Sequence, residues 1–223
     1  MNISAAKYWL LLACLLATIY GTFLAWRRSQ SEASLAAVAS PAAISVRRKP
    51  LEHFTLTDQS GQPFDSQSLR GQVWIGSFFF TNCPAICWRM NQALATLKQT
   101  DPASQVRLVS ITCDPENDTP AALAKYAERF QAKSPEWVFL TGGFSQIRRI
   151  GNDFFQVGVE QGTHSDRAFV VDREGRVRGR FRVTEPDQFE MLKKLVAVVE
   201  AEAPAEASPA AAQPPADEAP SAT

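Results

Sequence analysis

The chain has 223 residues, of which 45% are hydrophobic and 21% charged. That balance excludes a wholly disordered chain and leaves room for one domain with tails. Lys+Arg and Asp+Glu both number 23, for a formal net charge of +0, which argues against a general nucleic-acid binder, since phosphate contacts need a basic surface. The 2 histidines exclude a His-rich metal site, and 4 cysteines in so long a chain are too few for a disulfide-scaffolded mini-protein.

The first element is the uncharged run Tyr8–Trp26, YWLLLACLLATIYGTFLAW. Roughly 20 apolar residues span a bilayer as a helix, and Tyr8, Trp9 and Trp26 stand at the ends, where amphipathic rings favour the headgroups. Residues 1–28 therefore read as an N-terminal membrane anchor, a transmembrane helix that meets the lipid bilayer through residues 8–26. A cleaved signal peptide is the alternative. Its apolar region is usually shorter, about 7–15 residues, and the lipoprotein-like Leu-Leu-Ala-Cys at 11–14 has few apolar residues before it and many after. Lys7 on one side and Arg27 and Arg28 on the other nearly balance, so charge alone does not orient the anchor. Residues 29–50, rich in Ser and Ala, read as a flexible linker. Residues 201–223 are mostly Ala and Pro with no basic residue. They cannot bury enough apolar surface to offset their ordering entropy, so a disordered tail is expected.

Residues 51–200 have the commonest size of a single domain, about 150 residues. Residues 54–65 suggest a hairpin around Ser60-Gly61. VWIGSFFF (73–80) is a continuous apolar run, as expected of a strand buried on both faces. Residues 83–99 carry apolar positions at helical spacing, and 106–112 form a second central strand. Thr119-Pro120 opens a helix running to about Lys133. A short strand follows at 137–140, then a helix over 144–155. Strands 168–172 and 177–181 flank a turn at Arg173-Glu174-Gly175, and Pro186–Glu200 closes the domain as an amphipathic helix. This order predicts an α/β domain with a mixed central sheet flanked by helices, in the thioredoxin order.

Cys83 and Cys87 form C-P-A-I-C where the apolar strand meets the helix. Four residues apart on a helix, both sulfurs share one face at a separation a disulfide can close. Free N–H groups at the helix start favour a thiolate at Cys83. The spacing is C-x-x-x-C, one residue longer than the thioredoxin redox spacing. Two soft thiolates also suit Cu(I) or zinc, and an imidazole suits copper in either state. His164, in GTHSDRAFVV, precedes a strand whose leading loop approaches the cysteine helix in a thioredoxin-like fold, which makes it the candidate third ligand. His53 reads as a surface residue at the linker junction. Cys113 reads as a buried structural thiol, Cys14 as an apolar residue of the anchor, and Met90 as core rather than a thioether ligand. Asp114 and Asp118 suit a strand-end turn and helix capping better than support of a metal site. Trp88 and Arg89 suit solvent or a partner.

Three blocks, FFFTNCPAICWRMN, ITCDPENDTPAALAKYAERF and THSDRAFVVDREGRV, together with the preceding anchor, resemble the Sco/SenC proteins. These are membrane-anchored, thioredoxin-like copper proteins that assist assembly of the binuclear copper centre of cytochrome c oxidase. The resemblance covers about residues 51–200. It implies copper, Cu(I) or Cu(II), held by Cys83, Cys87 and His164, with oxidase subunit II as partner and other copper chaperones or thiol reductants upstream. It also implies that the N-terminus lies inside and the domain outside. No Arg-rich transit segment is evident before the apolar run, which favours a bacterial inner membrane with the domain in the periplasm. Two positions depart from the family pattern: Thr163 precedes His164 where an Asp is common, and Cys113 stands where an apolar residue is common.

The leading expectation is thus a copper metallochaperone rather than an enzyme. A thiol-disulfide reductase acting on the cysteines of the oxidase copper subunit needs the same redox-active pair, Cys83 and Cys87, but not His164. A thiol peroxidase is a third reading, weakened because SFFFTN before Cys83 lacks the proline of the usual peroxidatic loop. A structural zinc site wants four closed ligands, and three are evident.

Overall fold

The computed structural model describes residues 9, 11–26, 53–100, 105–162 and 166–202. The expected linker, His164 and all but the first two residues of the expected tail lie outside these. Residues 11–26 form helix α1, whose side chains Leu11, Leu15, Leu16, Ile19, Tyr20 and Phe23 are all exposed. Among the described residues no helix is long and apolar enough to cross a membrane.

Seven strands form one sheet: β1 (Thr55–Asp58), β2 (Pro63–Asp65), β3 (Trp74–Phe79), β4 (Arg107–Thr112), β5 (Trp137–Thr141), β6 (Arg167–Val171) and β7 (Val177–Arg182). Their order is β2-β1-β5-β4-β3-β6-β7. β3, β4 and β5 run parallel, while β6 lies antiparallel to β3 with Ser77 opposite Ala168. The strand start of β6 therefore sits at the end of the sheet where β3 and β4 finish.

Side-chain alternation along the central strands divides the core. Ile75, Phe79, Leu108, Phe139 and Val170 pack with α2 (Ile86–Thr100), α3 (Pro120–Glu128) and α5 (Pro186–Ala201). Trp74, Phe78, Val109, Leu140 and Phe169 pack on the other face with α4 (Phe144–Arg149) and the π-helical turn Ile150–Phe155 that continues it. β3 is buried along its whole length, as its unbroken apolar run requires when helices cover both faces.

Four boundaries differ from expectation. α2 begins at Ile86 rather than Cys83, because the Cys87 N–H donates to the Cys83 sulfur and not to a helical carbonyl. α3 stops at Glu128; Arg129, Phe130 and Gln131 close with i→i+3 bonds and Gln131 turns left-handed at φ 54. The helix expected over 144–155 is α-helical only to Arg149. Its π-helical part ends at left-handed Gln156 and brings both Phe154 and Phe155 into the core. α5 runs to Ala201, and Glu202 forms hydrogen bonds with Arg178 at 2.6 and 2.8 Å. The folded unit thus reaches two residues past the expected boundary at 200.

Candidate metal centre

β3 delivers the chain at Phe79 into a short loop that carries Cys83, and α2 carries Cys87 on its first turn. Pro84 lies between them and has no N–H to donate. The Cys83 N–H donates to Phe80 O at 3.3 Å, and the Cys83 sulfur accepts the Cys87 N–H at 3.4 Å. Both thiols are free rather than joined as a disulfide, and both are buried, Cys83 at 9% exposure and Cys87 at 0%.

The two sulfurs are chemically unequal. Burial pushes the Cys83 thiol up, but hydrogen bonds from the Cys87 N–H, from the Cys87 thiol and from the Ala85 and Ile86 N–H groups outweigh it. The net result lies below the ordinary value of 9.0. Burial raises Cys87 strongly, and its hydrogen bond to Cys83 adds to the rise. Cys83 is the more acidic, more nucleophilic sulfur, and Cys87 is the proton-holding one. The chemistry of this pair suits a soft cation. Among the described residues no third His, Cys, Asp or Glu joins the two thiols in a metal-holding group. His164, the expected third ligand, lies outside the described residues.

The other candidates fall as follows. Cys113 is buried, with its N–H and its thiol both donating to Phe79 O, at 2.8 and 3.2 Å. Burial, aided by the nearby Asp118 and Asp114 carboxylates, pushes its pKa up to about 12. Met90 is core. His53 is exposed beside Asp65, Nε2 to Oδ1 3.0 Å, as a surface residue should be. Trp88 is 40% exposed, with its ring 4.8 Å from that of Phe130, and Arg89 faces solvent. Cys14 is exposed on α1.

Asp118 departs from its expected role. The helix cap is Thr119, whose hydroxyl accepts from the Ala122 N–H. The Asp118 side chain is fully buried and turns away from the helix, toward Thr81 and Thr112. The signal for this was present in the sequence: with Thr119-Pro120 already supplying the cap, the carboxylate before it had no local task.

A family model described as SCO1/SenC matches residues 44–200. The chain belongs to the SCO1/SenC family. The SCO1 protein homolog of Bacillus subtilis is 34% identical over 136 residues, covering 57% of this chain and 70% of that protein. A structure of BsSco, described as a member of the Sco family of cytochrome c oxidase assembly proteins with a disulfide switch, is 29% identical. It covers 69% of this chain and 95% of its own, with a TM-score of 0.63. Yeast Sco1 with copper bound is 27% identical, covering 70% of this chain and 91% of its own, with a TM-score of 0.57. These neighbours share the thioredoxin-like α/β fold of this SCO1/SenC member.

Proposed function

We propose that this chain is a copper metallochaperone that takes copper as cargo through Cys83, Cys87 and His164 and passes it to subunit II of cytochrome c oxidase during assembly of the binuclear copper centre. The observation that carries the reading is the free, adjacent thiol pair at the β3–α2 junction, with one sulfur biased toward thiolate by helix-opening N–H groups. Soft thiolates are Cu(I) ligands. The copper-bound state of yeast Sco1 supports the metal, and the description of the Sco family as oxidase assembly proteins supports the destination. β6 starts at the sheet end that carries Cys83, and His164 stands three residues before Arg167 in sequence, which supports it as third ligand. The exposed apolar side chains of α1 support a bilayer as their cover, with residues 1–28 as a single-pass anchor in a bacterial inner membrane and the domain in the periplasm. Other copper chaperones or thiol reductants would load and reduce the site.

A second reading, thiol-disulfide reduction of the oxidase subunit, is favoured by the unequal pKa directions of the two sulfurs. The Cys83 thiolate would attack a substrate disulfide, and Cys87 would then displace the substrate thiol. The pair becomes a disulfide while the substrate gains two thiols. Anaerobic Cu(I) titration of the reduced full chain in detergent separates the readings. The metallochaperone binds one Cu(I) tightly, and both Cys83→Ser and His164→Ala weaken it. A chain that binds no Cu(I) yet reduces a peptide disulfide, with His164→Ala as active as wild type, is the reductase. Stoichiometric Cu(I) at unchanged affinity in Cys83→Ser overturns the ligand assignment.

A further inference from the structure

We propose that Asp118 is a positioning residue for the thiol site: its buried side chain holds the loop that carries Cys83 in the dithiol arrangement. The inference rests on the reading above only in taking Cys83 and Cys87 as the working pair.

Asp118 is 0% exposed and sits in the turn between β4 and α3, a different segment from either cysteine. The turn closes on itself. The Asp118 N–H donates to Asp114 O at 2.9 Å, and Asn117 Nδ2 donates to both Asp114 carboxylate oxygens, at 3.1 and 2.9 Å. One Asp118 oxygen accepts the Thr81 hydroxyl at 2.5 Å, and the Thr81 N–H approaches both oxygens, at 3.3 and 3.1 Å. The second oxygen also accepts the Thr112 hydroxyl. The direction of that last bond is set by the Asp114 N–H, which donates to Thr112 Oγ1 at 2.9 Å and leaves the hydroxyl proton to point at Asp118. One side chain thus ties the last residue of β4 to Thr81, two residues before Cys83. Cys83 is held from the other side by its own N–H on Phe80 O. No Lys or Arg among the described residues pairs with Asp118. A buried carboxyl side chain with no cationic partner carries a desolvation cost that its hydrogen bonds must offset. What it does well here is fix the geometry of the residues that donate to it.

The shape of the loop sets where the Cys83 sulfur lies against the Ala85, Ile86 and Cys87 N–H groups. Releasing Thr81 weakens that arrangement in the free dithiol more than in a disulfide, where a covalent bond holds both sulfurs. The released loop therefore oxidises more readily.

The test equilibrates the full chain in detergent with dithiothreitol redox buffers and quantifies the Cys83–Cys87 disulfide by alkylation and peptide mass analysis. Thr81→Val removes the hydroxyl and keeps the N–H, while Thr81→Ser keeps both. Asp118→Asn keeps the shape but places an amide NH2 among donors. We expect Thr81→Val and Asp118→Asn to shift the dithiol–disulfide equilibrium about tenfold toward the disulfide, about 30 mV for a two-electron couple. Thr81→Ser returns to within about twofold of wild type. A Thr81→Val chain with a lowered melting temperature but an equilibrium within about twofold of wild type makes Asp118 merely structural and overturns the proposal. So does a Thr81→Ser chain indistinguishable from Thr81→Val. If Asp118→Asn fails to fold, the Thr81 pair decides alone. A chain that binds no Cu(I) refutes the metallochaperone reading and leaves this measurement intact.

Discussion

The Cys83 sulfur receives the N–H groups that open α2, so removing it should cost stability that serine can restore. In Cys83→Ala the Cys87 N–H loses its acceptor at 3.4 Å, and the Ala85 and Ile86 N–H groups lose the sulfur whose ionised form they favour. A neutral hydrogen bond contributes about 0.5–1.5 kcal/mol net and one to a charged group about 1.5–3. The bond here is long and to sulfur, and Ala85 is exposed and can recover water, so a loss of about 1–2 kcal/mol is expected. For a domain of this size that is roughly 2–8 °C in melting temperature. Cys83→Ser offers an oxygen acceptor in the same place and should melt within about 2 °C of wild type. The effect is also pH-dependent. The folded thiol ionises below 9.0, so ionisation contributes stability that is complete above the unfolded value and is lost as pH falls through the folded one. The gap between wild type and Cys83→Ala should therefore widen as pH rises toward 9.0, while Cys83→Ser shows no such limb. The assay is thermal unfolding of reduced, copper-free full chain by near-UV circular dichroism across that pH range. Equal melting of the alanine and serine variants, or a gap that narrows as pH rises, refutes the N–H cradle.

Three further outcomes follow from the packing. A Cβ on Gly76 would meet Phe155 Cζ at 2.6 Å and Trp74 Cζ3 at 3.1 Å. Gly76→Ala should thus cost about 1–3 kcal/mol in urea unfolding, and Phe155→Leu added to it should recover part of the loss. Tyr126 accepts from Asn91 Nδ2 at 3.2 Å, while Asn91 Oδ1 is buried without a partner among the described residues. Tyr126→Phe strands the rest of that amide and should cost about 1–3 kcal/mol in the same assay. Burial raises Cys113 from 9.0 to about 12. An unfolded chain loses that proton first, so stability should fall as pH climbs across this interval, and Cys113→Val should flatten the fall in pH-dependent melts.

Much of the fold was legible because its central strands are buried on both faces and its turns carry strong residues. The apolar run at 73–80 had no amphipathic alternative, and Thr119-Pro120 marked the start of α3 to the residue. What the pattern could not carry was tertiary. The sequence places Cys83 at the start of a helix over 83–99, yet its sulfur takes the Cys87 N–H that a helical carbonyl would accept. The π-turn at Ile150–Phe155 answers the need to bury two adjacent phenylalanines against Trp74, which helical spacing alone does not express. Asp118 reads as a capping residue by its position, although Thr119 already fills that role. Its real partners lie 37 and 6 residues away, and no local pattern reports a contact of the first kind.

The order of strands explains why three distant stretches of sequence reach one end of the sheet. β3 lies between β4, which runs with it, and β6, which runs against it. The segment leaving β3 carries Cys83, the segment leaving β4 carries Cys113 and Asp118, and β6 begins at that same end. A doubly wound sheet gathers ligands outside the carboxyl ends of its parallel strands, and the antiparallel β6 adds its own start to them. The cysteine spacing can therefore change without dispersing the site, because convergence is a property of the sheet. At that end of the sheet the Cys83 sulfur accepts the Cys87 N–H, while Cys87 remains a buried thiol on α2. One sulfur is thereby biased toward the thiolate and the other toward the thiol.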